Sequence, residues 1–309
     1  SDVNVVHQRP ALIQELTWRP GYGTRRPAVP DTESVERVVF GFYNDQLCRM
    51  AVDYDRERTK GLTDADMIEA IGNRLKADGI NIKFLVGDTY RLAKSTAYIK
   101  SILDDPGAQP FLGPLSFHSW WSTSIAPNEW LTWREIADAY GKDLWNAEMN
   151  WNAKIESWAF PTWSNNAIEV ANIIQKTLGW AHADAALYWQ YQHDYELMNS
   201  SGSDKYYAYY VVKSYVDHLK PGSQIVAAAS DDAALLPLAG RDVGRNPFMT
   251  NVVNTAAPEK STTFTGLPNT PLTWVINAAD QKNITMGTYT PVNGVLTLTT
   301  RSRRTIGYE

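Results

Sequence analysis

The sequence predicts an α/β fold, half of a (β/α)8 barrel followed by an antiparallel β-sandwich. Two patterns predict it. Between residues 63 and 220, amphipathic helical segments alternate with short apolar runs, as in parallel strands joined by helical crossovers. From residue 221 onward the chain consists of short β-branched runs separated by Pro, Gly and Asn, which is typical of an antiparallel sandwich. We therefore predict three regions, 1–62, 63–220 and 221–309.

The first region departs from this alternation. ALIQELTW (11–18) has the pattern of a strand, and RPGYGTRRPAVPD (19–31) is rich enough in Pro and Gly to predict a loop. RVVFGFYNDQLCRMAVDYD (37–55) predicts a hairpin that turns at Asn44 and Asp45.

The middle region begins with an amphipathic helix over 63–79, because Thr63 can cap it, acidic residues follow, and Gly79 ends it. The pattern then alternates strand and helix to the end of the region. Strands are predicted over NIKFLVGDT (81–89), FLGPLSFHSWW (111–121), DLWNAEMNW (143–151) and ADAALYWQYQ (183–192), and helices over 91–105, 132–141, 165–181 and 205–222. In the last region the predicted strands are QIVAAAS, PFMTNVVNT, LTWVINAA, KNITMGTY and GVLTLTTR.

Composition excludes several classes of function. The net charge is −5 and no dense basic run is present, so nucleic acid is not an expected partner. No window has the roughly 18 apolar residues that a membrane span requires. Cys48 is the only cysteine, which excludes an internal disulfide and a cysteine-based zinc cluster. The 12 Trp and 16 Tyr residues fit either a packed interior or a surface that stacks on sugar rings.

Position favours the sugar-binding interpretation. Glu148 ends an apolar strand, where its plain alternative is a surface ion pair or a helix cap. Because carboxyl ends of parallel strands meet at one edge of a barrel, neighbouring strand ends should share a pocket with Glu148. Those ends carry aromatic and hydrogen-bonding side chains, namely Trp145, Asn146, Asn150 and Trp151, then His118, Trp120 and Trp121, and then Trp189, Gln190 and Gln192. We assign His118 to this pocket and not to the role of base, and Asp88 has a similar place, although an Asp there often caps the next helix.

Five segments of the chain, in their order and with a β-domain after them, resemble glycoside hydrolase family 30. They are KADGINIKFLVGDT, FLGPLSFHSWW, LWNAEMNW, ALYWQYQ and KYYAYYVVKSYVDHLKPGSQIVAAAS. These O-glycosyl hydrolases include glucosylceramidase-like enzymes, xylanases and β-1,6-glucanases. The resemblance covers about residues 63–309. It implies a retaining glycosidase that needs no metal or organic cofactor, acts on a carbohydrate and is secreted or periplasmic. It also implies a Glu nucleophile on strand seven, which Glu148 matches, and a Glu acid/base on strand four.

The acid/base position departs from the family. Its Gln-Asn-Glu-Pro type motif corresponds here to IQELTWRPGYGT, in which a one-residue contraction aligns Glu15 with the acid/base and Trp18 with the adjoining loop. If IQEL is strand four, the chain contains about strands four to eight of the barrel and lacks the first three βα units. Such a half barrel has open edges, which the hairpin or a second copy of the chain could cover.

Three interpretations follow. The first is a retaining β-glycosidase that works by double displacement. The second is a non-catalytic carbohydrate-binding remnant of such an enzyme, and the third is a structural protein whose aromatic residues form only a core.

Overall fold

A computed structural model describes residues 13–19, 35–43, 46–54, 61–89, 91–92, 95–152, 166–191, 197–199, 201–244, 248–256, 259–278, 281–300 and 304–308. The chain divides into two units, Ser1–Met67 and Ile68–Glu309. The architecture is mixed α/β, with one parallel sheet and three antiparallel ones. None of the described helices is long and apolar enough to cross a membrane.

The first unit contains a three-stranded antiparallel sheet in the order β1-β2-β3. Its strands are β1 (Ile13–Trp18), β2 (Val35–Tyr43) and β3 (Gln46–Tyr54). β2 and β3 pair as the predicted hairpin, whose turn residues Asn44 and Asp45 lie outside the described residues. β1, which contains IQEL, pairs antiparallel with β2, and within the described residues it has no parallel partner; its assignment to barrel strand four stays a prediction. Parallel pairing needs a crossover, usually a helix, and the Pro- and Gly-rich sequence between β1 and β2 disfavours one.

The second unit contains a four-stranded parallel sheet in the order β4-β5-β6-β7. Its strands are β4 (Phe84–Val86), β5 (Leu112–His118), β6 (Leu144–Met149) and β7 (Ala185–Tyr188). The helices are α1 (Asp64–Ala77), α2 (Thr96–Leu103), α3 (Pro127–Ala139), α4 (Ile168–Gly179) and α5 (Tyr207–Val216), with a short 3₁₀ turn at Gln109–Phe111. This is the predicted alternation of strand and helix. Four sequential parallel strands fit part of a barrel, while the full set of strands four to eight stays a prediction.

An aromatic layer fills the space between this sheet and its helices. Phe117 of β5 meets Trp130 edge-to-face, with ring centroids 5.9 Å apart, and meets Trp133 at 5.4 Å. All three side chains are fully buried, and the Trp133 indole donates to Leu92 O at 3.0 Å. Burying each such side chain contributes about 1.5–3 kcal/mol. This layer fixes which face of each strand turns toward the helices.

The remaining strands form two antiparallel sheets, one of six strands in the order β13-β12-β15-β10-β9-β8 and one of two, β11-β14. Their bounds are β8 (Ser223–Val226), β9 (Leu235–Asp242), β10 (Phe248–Asn254), β11 (Lys260–Phe264), β12 (Leu272–Ala278), β13 (Gln281–Tyr289), β14 (Leu296–Thr300) and β15 (Arg304–Tyr308). Phe264 of β11 packs edge-to-face on Trp274 of β12 at 5.9 Å, so the two sheets share an apolar core.

The predicted boundary near residue 221 falls inside the second unit. Helices α4 and α5 contact the six-stranded sheet through a buried polar group. Gln175 Nε2 donates to Asn251 Oδ1 at 2.7 Å, and the Tyr215 hydroxyl donates to the same oxygen at 3.0 Å. The helices and the β-region of this unit are therefore joined by specific buried contacts.

Candidate active site

A β-bulge lies just before the carboxyl end of β6. Phe117 pairs with Asn146, but His118 pairs with Glu148, so Ala147 is the extra residue. Phe117 faces the helices, and so does Asn146, whose amide lies 2.9 Å from Thr177 Oγ1 on α4. Side chains alternate along a strand, and one inserted residue reverses the alternation. Glu148 consequently lies on the face opposite the helices, beside His118.

Three titratable side chains form a chain on this face. His118 Nε2 lies 2.7 Å from Asp88 Oδ1, and His118 Nδ1 lies 3.0 Å from Glu148 Oε2. Ionised carboxylates only accept hydrogen bonds, so the His118 ring is the donor to Asp88. The hydrogen bond from His118 holds the pKa of Asp88 below its ordinary value, against a smaller opposing effect of burial. Asp88 does not cap the next helix, which begins at Thr96 with Ser95 as its N-cap.

A second donor fixes the same oxygen of Glu148. Trp120 Nε1 donates to Glu148 Oε2 at 3.1 Å, and Trp120 itself is only 6% exposed. The side chain of Glu148 remains 29% exposed. One carboxylate oxygen thus accepts from the Trp120 indole and contacts the His118 ring, while the group still contacts solvent. That arrangement can present a carboxylate to a ligand in a single orientation.

Exposed aromatic residues flank Glu148 at the ends of both neighbouring strands. Trp121, after β5, is 42% exposed, and Trp189, after β7, is 41% exposed. The Arg91 guanidinium lies 5.1 Å from the Trp121 ring centroid. Trp121 N donates to Trp151 O at 2.7 Å, which joins the segments that follow β5 and β6. Trp145 and Gln190 are partly exposed. The segments that follow β5, β6 and β7 therefore lie next to one another in the second unit, and their role as a sugar pocket stays a prediction.

Two predicted sugar-binding residues are instead buried. Asn146 is 0% exposed and Asn150 is 1% exposed, which corrects their assignment to substrate. Asn150 Nδ2 donates to Trp189 O at 2.6 Å, and its Oδ1 accepts from Trp151 N at 2.8 Å. Both amides bond to groups inside the protein, because Asn146 lies on the face that meets α4 and Asn150 closes the end of the strand. His118, at 7% exposed, contacts Glu148 without being open to solvent.

The predicted acid/base lies in the first unit. Glu15 is exposed on β1. Trp18 is the last residue of β1, and its side chain lies outside the described residues, as does Gln192. Their roles stay predictions.

Sequence reasoning missed the hydrogen-bonding partners behind the site. It did not identify Ser119, whose hydroxyl donates to Asn150 O at 2.8 Å, or Thr177 on α4. Neither carries a local sequence signal, because each acts through a contact with a distant strand. Within the described residues, no group of three or more His, Cys, Asp or Glu has the geometry of a metal site.

The fold of this chain is similar to the folds of several solved structures. No protein-family model and no curated protein matches the sequence. A family 30 endoxylanase from Clostridium papyrosolvens is similar with a TM-score of 0.63 at 14% identity, over 85% of this chain and 73% of that one. The subfamily 8 xylanase from Clostridium acetobutylicum has a TM-score of 0.62 at 15% identity, over 79% of this chain. The catalytic domain of a family 30 xylanase from Talaromyces cellulolyticus has a TM-score of 0.61 at 15% identity, again over 79%.

The chain spans only 58% and 55% of the last two proteins. Family 44 enzymes, such as a xyloglucanase from Paenibacillus polymyxa, are similar at a TM-score of 0.55 and 12% identity, over 79% of this chain and 60% of that one. At these identities the likeness concerns the fold. The chain has a fold similar to that of family 30 glycoside hydrolases.

Proposed function

We propose that this chain is a retaining β-glycosidase in which Glu148 is the nucleophile. The observation that carries the proposal is the carboxylate of Glu148, held by His118 and Trp120 at the end of β6 and flanked by exposed Trp121 and Trp189. Aromatic faces stack on the C–H faces of sugars, and an oriented, partly exposed carboxylate can attack an anomeric carbon. The similar structures of glycoside hydrolases support the same class of reaction.

The proposed mechanism is double displacement. Glu148 attacks the anomeric carbon and forms a glycosyl ester, while an acid protonates the departing oxygen. The same acid, now a base, takes a proton from water, and the hydroxide oxygen displaces Glu148. His118 and Trp120 keep Glu148 oriented between the two steps. We assign the acid/base to Glu15 on the sequence resemblance alone; retention requires its carboxyl group to come within roughly 5 Å of Glu148.

An inactivator tests the nucleophile directly. A 2-deoxy-2-fluoro glycoside should form a stable ester on Glu148, located by peptide mass spectrometry, once a panel of aryl β-xyloside, glucoside, fucoside and glucuronide has identified a substrate. Glu148→Gln should abolish turnover and labelling. Glu15→Gln should slow turnover of a poor leaving group more than that of a good one. Labelling of a residue other than Glu148 would contradict the proposal.

A second candidate is a carbohydrate-binding remnant without catalysis. The departures of IQEL from the family motif favour it. It predicts that oligosaccharides quench Trp fluorescence, that Trp189→Ala and Trp121→Ala weaken the quenching, and that no aryl glycoside is hydrolysed. Turnover that Glu148→Gln removes would reject it. Secretion and self-association stay predictions, to be tested by cell fractionation and by light scattering.

A further inference from the structure

The bulge at Ala147 brings backbone carbonyl groups together beside the proposed nucleophile. Register shifts occur on both sides of β6, between Phe117 and His118 toward β5 and between Asn146 and Met149 toward β7. An irregular ladder leaves carbonyl oxygens that the regular pairing would have satisfied. Two backbone carbonyl groups lie beside this bulge, those of Phe117 and Glu148, and the second also accepts from Ser119 N at 3.3 Å.

The buried amide of Asn146 meets both carbonyl groups. In the orientation that satisfies its polar atoms, Nδ2 donates to Phe117 O at 3.2 Å and to Glu148 O at 3.1 Å. Its Oδ1 then lies 2.9 Å from Thr177 Oγ1 and 3.2 Å from Ser119 Oγ. A primary amide has two N–H donors, and both find a carbonyl acceptor here, while the Thr177 hydroxyl can donate to its oxygen.

We propose that Asn146 is a positioning residue that holds the backbone of Glu148 in the bulged conformation and thereby aims its carboxylate at His118 and Trp120. This inference rests on the proposed function for its catalytic consequence. Asn146 does not touch a substrate, because it is 0% exposed. It acts by joining β5, the bulge and α4, the last through Thr177. A shift of about one ångström in a reacting group can cost roughly a hundredfold in rate.

An apolar substitution of similar size separates positioning from packing. Asn146→Leu removes both donors and adds no charge. The matched control is Asn172→Leu on α4, which replaces a buried Asn that donates to Glu169 Oε2 at 3.3 Å and lies away from the bulge. For the substrate that the wild type hydrolyses, Asn146→Leu should lower kcat about ten- to a hundredfold with KM within about twofold. Asn172→Leu should leave both constants within about twofold.

A spectroscopic measurement tests the positioning without turnover. The ¹⁵N resonance of His118 Nδ1 reports its contact with Glu148, and it should move in Asn146→Leu while staying in place in Asn172→Leu. An unchanged His118 resonance together with an unchanged kcat would overturn the inference. If the wild type hydrolyses no glycoside, the proposed function fails, and the resonance alone still decides whether Asn146 positions Glu148.

Thr177 supplies the variant to use if Asn146→Leu does not fold. Thr177→Val removes the hydroxyl that meets the Asn146 oxygen, and Thr177→Ser keeps it. The His118 resonance should move in Thr177→Val and not in Thr177→Ser. The inference is wrong if neither variant moves it.

Discussion

Replacing Asp88 by Asn tests the chain of Asp88, His118 and Glu148. The substitution keeps the shape and an acceptor for the His118 Nε2–H donor but removes the negative charge. The bond is 2.7 Å long, and a charge-assisted hydrogen bond contributes about 1.5–3 kcal/mol when buried. The Asp88 side chain is 58% exposed, so solvent screening reduces its contribution to about 1 kcal/mol.

The pH dependence has a defined sign. Because the pKa of Asp88 is lowered in the folded protein, chiefly by the hydrogen bond from His118, its stabilisation is complete above the ordinary Asp value of about 3.9. This stabilisation is lost as pH falls through the lowered pKa that Asp88 has in the folded protein. Asp88→Asn should therefore unfold with about 1 kcal/mol less free energy at pH 7, and the difference from the wild type should shrink as pH falls below about 3.9.

Urea unfolding at pH 7 and pH 3 measures this difference. Asp78→Asn is the control, since Asp78 forms an exposed ion pair with Arg74 at 2.9 Å and should change stability by no more than about 0.5 kcal/mol. In turnover assays Asp88→Asn should lower kcat by up to about fivefold, because about 1.4 kcal/mol corresponds to a factor of ten in rate and the contribution of Asp88 is about 1 kcal/mol. A stability gap that is absent at pH 7, or larger at pH 3 than at pH 7, would refute the reasoning.

Three further substitutions probe the same unit. Trp120→Phe removes the indole donor to Glu148 Oε2 and keeps most of the ring, so steady-state kinetics should show kcat about tenfold lower; an unchanged kcat contradicts the role of Trp120. Gly87→Ala should lower unfolding free energy by at least about 2 kcal/mol in urea, since φ is +99° and a Cβ would lie 2.5 Å from Ser116 O. Burial lowers the pKa of Lys176 to about 8, whereas the unfolded chain keeps its proton to about 10.4. The free energy of unfolding of the wild type should therefore rise by up to about 2 kcal/mol from pH 8 to 9.5, and Lys176→Met should remove that rise. A rise that persists in Lys176→Met would show that another group causes it.

The alternation of strand and helix was predictable because each element carries its own period. Helix α1 begins one residue after the predicted cap Thr63, where Asp66 accepts from the Thr63 backbone and Asp66 N donates back to the Thr63 hydroxyl. The apolar runs FLV and LGPLSF form β4 and β5, and most of the second run is buried. These signals are local, so the packing of the rest of the chain did not alter them.

Elements whose formation depends on distant partners were not predictable. β9 contains Pro237 and Gly240, and β15 pairs with both β10 and β12, which are distant in sequence. β1 has the apolar pattern of a strand, but that pattern does not specify the direction of its neighbour. Antiparallel pairing with β2 followed from the adjacent hairpin, which the resemblance did not take into account.

The face on which Glu148 lies depends on one residue. Strict alternation along LWNAEM would place Asn146 and Glu148 on the same face, and because Asn146 meets α4, Glu148 would then be buried beside Thr177. An unpaired carboxylate there would cost several kcal/mol. Ala147 itself gives no sequence signal of a bulge. The bulge is visible only because β6 has one more residue than β5 between the paired positions. The sequence therefore identified Glu148 by its place at a strand end, while its partners depend on a register that only the paired strands define.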